Sequence, residues 1–499
     1  MTAETASSQI PPLAGICTFD EAQRAAMSVG ECVTWIKRHH YLLVRLHEIF
    51  TARITAEPVY ELKTAFSLHA YLCAEHASAY RQRVGELREP PLGLEVVPDA
   101  ALKLLCDEVL CAPTHVELVL GLYEVIIPAL NDSLDKYIST TNPLADAPTV
   151  RLTRFCRYEL EDIAKFGRKA VESVVDVDTR ARLSPWLQLL GECLERAHGA
   201  SGRDGCTTAA ASAPVVHRTK AVAKSPMSNE DDDRIPLRPH FSLTPFEYDS
   251  VPRRDARFQD SFNAGVNPEA FLYDDRFEAR DKVVMMLYKR LREIDVPEMM
   301  ASILHQTPGK PWKYYRDMSR QLWDEARHAM LGEVGFVHLG IDWTKIPINF
   351  TWSKNLNTQL KPWERHAVLF FIEQGLMPRT GKRFEWEVGR ASGIPLAGVI
   401  QDFDWADEVL HAQIGREWYV NEFGDLNEAM SYGDRCWSQV LSQWRSYRDE
   451  GLTEHRNWWP DVYRAACEHW GVEPDPVALT FDTTYEATRA DLKDISASR

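Results

Sequence analysis

No stretch of this 499-residue chain approaches twenty consecutive apolar residues, and no basic segment followed by an apolar one opens it. A membrane-spanning helix needs about twenty such residues, and a secretory leader needs that opening pattern. Neither is indicated, so no membrane partner is expected and the expected compartment is the cytoplasm. Paired cysteines are missing as well. None of the ten cysteines stands in a Cys-x-x-Cys pair, and Cys17, Cys73, Cys106, Cys156 and Cys436 are scattered through apolar, helix-like runs, as reduced core thiols are. Positive charge is in deficit: the formal net charge is −16, which argues against a nucleic-acid partner, because such proteins carry a basic face. There is also no Gly-x-Gly-x-x-Gly fingerprint to form an internal nicotinamide site, so redox chemistry here would need an external electron donor.

What the chain has in quantity is helical periodicity. With 45% hydrophobic residues it can bury sizeable cores, and its length suggests two or three domains. The expected class is mainly α, in two helical bundles. Residues 1–18 are small and polar and are expected to be disordered until Thr18-Phe-Asp-Glu-Ala starts a helix. Residues 19–199 repeat apolar positions at three-and-four spacing and are expected to form a bundle without metal. His69, Glu75, His76, Glu124 and Glu159 echo a ligand set there, but Asp162 stands where a histidine would follow Glu159, and the adjacent His39 and His40 point about 100° apart on a helix. Residues 200–250 lose the periodicity and are expected to be a flexible linker. A second bundle with a helical extension is expected over 251–485, followed by a polar tail at 486–499.

One stretch in that second bundle carries the functional signal. In Arg320-Gln-Leu-Trp-Asp-Glu-Ala-Arg-His328, Glu325 and His328 are three apart and project from one helix face. A second copy, Asp407-Glu408-Val-Leu-His411, lies in another helix-like run. A single Glu-x-x-His is commonplace, but two copies embedded in apolar sequence are a stronger signal, since carboxylates are rarely buried unless paired or bound to metal. A four-helix bundle holding two metal ions needs one further carboxylate from each of its other two helices. Glu373 is the only acid in His366-Ala-Val-Leu-Phe-Phe-Ile-Glu-Gln-Gly-Leu-Met377 and is the candidate on one. On the other the choice is between Glu293 and Glu298. The turn at Thr307-Pro-Gly-Lys-Pro311 sets Glu293 level with Glu325 and leaves Glu298 nearer the turn, so Glu298 is a reserve ligand. Pro297 implies a local kink.

These residues resemble the ferritin-like non-haem di-iron carboxylate proteins. Glu293, followed about thirty residues later by Asp324-Glu325-Ala-Arg327-His328, is similar to the signature of the p-aminobenzoate N-oxygenase type. The resemblance spans roughly 281–423. It implies a ferritin-like di-metal four-helix bundle with Glu293, Glu325, His328, Glu373, Glu408 and His411 as ligands. One departure stands out: those N-oxygenases carry an extra histidine ligand one turn before the second Glu-x-x-His, and this chain has Asp404 there.

Four carboxylates and two imidazoles suit iron, with manganese as the other metal to consider, better than zinc. Asp324 and Asp407 are the expected outer partners, each placed to accept the ring N–H of the histidine on the opposite helix, and Asp404 is expected outside the ligand set with them. Arg327 either orients Asp407 or is a surface cation. Trp323, Trp405 and Tyr315 are core packing or carry electrons, and His338 and Trp343 are candidates for the mouth of the site. Two iron ions, dioxygen, an external donor and a small-molecule substrate together give an oxidoreductase, and the resemblance points to oxygenation of an amine or another small organic compound. The alternatives are a ferroxidase or iron store, and an interaction protein with a vestigial site. A homodimer is the assembly considered.

Overall fold

The computed structural model describes residues 10–88, 93–204, 236–257, 266–348, 351–442 and 457–484, with the single residues 450 and 487. Among them the regular elements are all helices; the extended pairing is one isolated bridge between Val266 and Thr484. No described helix is long and apolar enough to cross a membrane. Most of the expected linker, residues 205–235, and almost all of the expected polar tail lie outside the described residues, as do residues 1–9 and 349–350.

The chain divides into two compact units, 1–46 with 79–246 and 47–78 with 247–499. This division is not the one expected from sequence. Helices α1 (Val29–Ile54) and α2 (Tyr60–Glu86) are shared out between the units, so residues 47–78 belong with the C-terminal part of the chain. Continuous apolar periodicity along both helices conceals this, because the same pattern serves burial in either core.

The first unit contains α3 (Ala100–Leu110), α4 (His115–Leu120), α5 (Ile127–Thr140), α6 (Ala147–Val174) and α7 (Val177–Arg196). Their starts are chemically marked: Asp99 accepts the backbone N–H groups of Ala101 and Leu102, and Asp176 accepts that of Thr179. Near the chain start, Thr18 and Glu21 form a reciprocal capping box on a short helix, Phe19–Ala22, at the place where a helix start is expected. The expected linker is also partly built in. Buried Glu108 accepts the backbone N–H groups of His240, Phe241 and Ser242 at 2.8, 2.9 and 3.0 Å and Trp186 Nε1 at 3.1 Å.

The second unit holds α8 (Ala279–Arg292), α9 (Asp295–Gln306), α10 (Trp312–His338), α11 (Thr351–Gln359), α12 (Pro362–Gly375), α13 (Lys382–Ala391), α14 (Pro395–Gly415), α15 (Leu426–Ser442) and α16 (Trp459–Trp470). Four rods close a bundle: α8 with α9, then α10, α14 and α12, each packed on the next, with α9 against α12 completing the ring. The first rod is broken rather than gently kinked. Pro297 clashes in a regular helix with the carbonyl four residues back, and that residue is Glu293, where α8 ends. The contact of α8 with α10 is unusually close, since a Cβ on Gly332 would lie 2.3 Å from the Leu291 backbone nitrogen. Helix α13 packs across α8 and α14 beside the bundle.

Candidate metal centre

Each rod supplies acidic groups to one buried point. Glu293 comes from the break after α8, Glu325 and His328 from α10, Glu373 from the end of α12, and Asp404, Glu408 and His411 from α14. Three overlapping sets bring ligand atoms within 4.8 Å of one another: Glu325, Glu373, Glu408 and His411; Glu293, Glu325 and His328; and His328, Asp404 and Glu408. Around His411 Nδ1 stand Glu325 Oε1 at 3.1 Å, Glu408 Oε2 at 3.5 Å and Glu373 Oε1 at 3.9 Å. Around His328 Nδ1 stand Glu293 Oε2 and Asp404 Oδ1 at 3.5 Å, Glu325 Oε2 at 3.7 Å and Glu408 Oε1 at 4.0 Å. Glu325 and Glu408 thus turn one oxygen to each imidazole, and the two rings lie 5.9 Å apart.

The far nitrogens of the rings are held from outside. His328 Nε2 lies 3.1 Å from Asp407 Oδ2, and His411 Nε2 lies 3.4 Å from Asp324 Oδ2. Arg327 donates to both aspartates at 2.6 Å, and Arg320 donates to Asp324 at 2.9 Å. Arg327 therefore ties α10 to α14 through the two outer carboxylates.

Glu298 does not join the cluster. It accepts from Lys63 and Arg254 and, at 2.7 Å, from Ser353 Oγ, a buried polar network that leaves it no free oxygen to offer. His338 is exposed beside His469, and Trp343 packs on Tyr60; neither lines the centre or its cavity. Trp405 packs at a tilt against Trp386, and Tyr315 donates to the Thr307 carbonyl at 2.9 Å. Of the N-terminal echoes, Glu124 pairs with Arg180, His69 packs on Phe50, and the described residues of that set form no ligand group.

Sequence analysis did not single out four residues at or behind the centre. Lys382, wholly buried at the start of α13, places Nζ 2.8 Å from Glu408 Oε1, 2.9 Å from Asp404 Oδ1 and 3.7 Å from Glu293 Oε1. Arg290, also wholly buried, pairs with Asp404 and reaches Glu293 Oε1 at 2.8 Å. Behind them Glu385 accepts from Lys289 and lies 3.7 Å from Arg290. Gln321 donates to Glu373 Oε1 at 3.0 Å. Arg290 had a legible signal, as a cation inside an apolar run three residues before Glu293. Lys382 had none, since its own stretch is polar and only the packing of α13 turns it inward.

Electrostatics divide the acids. Burial disfavours a charged Glu293, but Arg290 and Lys382 hold its carboxyl down at about 2. Burial and the negative charges of Glu408 and Glu325 push Glu373 well above the carboxylate range, whereas Lys382 and His411 keep Glu408 ionised against the same burial. Of this facing pair, Glu373 carries the proton. Burial opposes the imidazolium of His328, but Asp407, Glu293 and Glu325 raise it to about 10, and His411 is raised likewise by Asp324, Glu325 and Glu408.

A cavity of about 320 Å³ opens onto this cluster. Glu293, Glu325, Glu373, Glu408 and Lys382 are among its lining residues, and Val296, Met299, Leu356, Leu369, Ile372 and Leu376 with Trp352 and Trp437 are its apolar part. Lys289, Arg292, Glu269 and Asp295 also line it. No family model, characterised protein or solved structure matches the chain.

Proposed function

We propose that the second unit holds two metal ions, iron foremost, and uses dioxygen to oxygenate a small organic molecule. The observation that carries this reading is the convergence of unbonded donors. Glu293 Oε2, His328 Nδ1, Glu408 Oε2 and His411 Nδ1 are buried without a hydrogen bond, and all four belong to the ligand sets beside the cavity. Buried polar atoms are normally satisfied, and a cation at this point satisfies all four. The donor set fits such an ion: carboxylate oxygens with imidazole nitrogen suit iron or manganese, and aspartates that hold the outer ring nitrogens are the usual supports of metal-binding histidines.

Glu325, Glu373, Glu408 and His411 would hold one ion, and Glu293, His328, Glu325 and Glu408 the other. Ferrous ions there would supply electrons and open positions for the reduction of dioxygen. The chain's own residues do the rest. Asp324, Asp407 and Arg327 fix the aim of both imidazoles, and the apolar wall excludes water and takes up the body of a substrate. In balance, a substrate C–H or N–H bond becomes C–OH or N–OH, the second oxygen atom leaves as water, and two electrons and two protons come from an external reductant. An amine is the substrate class that the sequence resemblance favours.

The test is to load chelator-treated protein anaerobically with ferrous iron, add aniline or 4-aminobenzoate as probe, and admit ¹⁸O₂. The expected result is about two irons per chain, as a two-metal carboxylate bundle requires, and a product carrying one labelled oxygen. Failure to bind iron or manganese sinks the reading. Oxygen uptake that follows added iron over many ions per chain makes the protein an iron store.

A further inference from the structure

We infer that the two halves of this centre are unequal and load in order, the half around His411 first and the half around His328 second, with Lys382 setting the difference. This rests on the metal reading above. The asymmetry lies in where the protein has placed its own cations. Around His328, three of the four carboxylates are already engaged by buried positive side chains. Asp404 pairs with Arg290 and Lys382, Glu408 Oε1 lies 2.8 Å from Lys382 Nζ, and Glu293 Oε1 lies 2.8 Å from Arg290. Around His411 the carboxylate oxygens are Glu325 Oε1, Glu373 Oε1 and Glu408 Oε2, and among the described residues no lysine or arginine forms an ion pair with Glu325 or Glu373. Gln321, which donates to Glu373 Oε1, is neutral.

Both cations are wholly buried, so water screens them little from an arriving ion. A cation entering the His328 half meets Lys382 and Arg290 competing for the same oxygens, whereas one entering the His411 half finds, among the described residues, no lysine or arginine paired with Glu325 or Glu373 and displaces protons instead. Asp404 belongs to the same device. Its carboxylate stands where the resembling N-oxygenases place a histidine, and it brings a negative charge that Arg290 and Lys382 neutralise. The His328 half thus keeps its own positive charge before any metal arrives. A second ion held by Glu408 would compete with Lys382 Nζ for Oε1, while Asp404 Oδ1, 2.9 Å from Nζ, would remain to the ammonium as a partner.

The experiment is a manganese(II) titration of chelator-treated, full-length protein, followed by equilibrium dialysis and low-temperature electron paramagnetic resonance. Expected are two classes of site at least tenfold apart, an uncoupled single-ion spectrum up to one equivalent, and a spin-coupled pair only beyond it. His411→Ala should remove the tight class, while His328→Ala should retain it and lose the weak one. Lys382→Met should tighten the weak class at least threefold and so narrow the gap. If that variant does not fold, the wild type and the two histidine variants decide. The inference is overturned by a coupled pair already at half an equivalent, by two indistinguishable affinities, or by loss of the tight class in His328→Ala, and each of these leaves two-metal binding intact. No manganese or iron binding at all would overturn the functional reading together with this one.

Discussion

Asp407 Oδ2 lies 3.1 Å from His328 Nε2, across the contact between α14 and α10. The ring is thereby held from its outer side, and Nδ1 is left facing Glu293, Glu325, Asp404 and Glu408. Asp324 does the same for His411. Losing such an outer partner typically costs 10- to 100-fold in metal affinity, about 1.4–2.7 kcal/mol. Asp407→Asn and Asp324→Asn should therefore weaken manganese binding by about that factor while helical content stays unchanged; equal affinity in both variants would show that the aspartates do not orient the rings.

Glu293 and Glu298 are five residues apart and both buried or nearly so, yet they serve different ends. Glu298 neutralises Lys63 and Arg254. Removing it leaves two buried cations short of a partner, and breaking a buried pair in this way costs about 3–5 kcal/mol. Glu298→Ala should lower the unfolding midpoint in urea strongly and leave metal stoichiometry at its wild-type value once folded. Glu293→Ala should do the reverse, with a modest change in stability and a lost or weakened ion. Calorimetry with metal analysis on the two variants separates them.

Proton competition gives the centre a defined pH response. Glu373, His328 and His411 all have protonation raised in the metal-free fold, His328 to about 10. A raised histidine stabilises the metal-free fold fully below its unfolded value near 6.5, and this is lost as pH rises through about 10. The sign reverses for the metal complex, because bound ions must displace these protons and affinity rises with pH. The difference in Tm between manganese-loaded and metal-free protein should therefore widen from pH 6 to pH 9. A constant or shrinking difference would show that the ions displace no protons.

The sequence made the bundle and its buried Glu/His cluster legible for a simple reason. Glu325 with His328 and Glu408 with His411 are local pairs, fixed by helical period, and Glu373 is an acid in an apolar run. What could not be read is tertiary. Lys382 reaches the centre only because α13 packs across α8 and α14. The assignment of residues 47–78 to the second unit depends on long-range partners such as Lys63 with Glu298 and His47 with Ser319. The anchoring of residues 240–242 by Glu108 is invisible in a polar stretch, since one buried carboxylate can order a segment that has no apolar periodicity of its own.

Close approach of α8 and α10 gives a check on the frame that carries Glu293 and Glu325. Gly332 has no room for a side chain against the Leu291 backbone, and overpacking of this kind costs about 1–3 kcal/mol. Gly332→Ala should lower Tm and weaken metal binding together, because relief requires the two helices to separate. An unchanged Tm would mean that the helices lie farther apart than the structure places them.

The cavity separates an oxygenase from an iron store. Its apolar wall includes Met299 and Leu369, and two of its lining residues are the neighbouring Trp352 and Trp437, with ring centroids 4.8 Å apart. A small aromatic amine entering the 320 Å³ space would change the emission of those indoles. Addition of 4-aminobenzoate to wild-type protein should therefore quench tryptophan fluorescence saturably. Met299→Trp and Leu369→Trp should fill the space, cut the binding of the amine at least tenfold, and abolish its oxygenation, yet leave manganese stoichiometry as in the wild type, since neither side chain belongs to a ligand set. An iron store has no use for an apolar chamber. If the filled variants oxidise iron and consume oxygen as the wild type does, with no effect of amine on either, the cavity is packing space and the protein does not oxygenate an organic substrate there.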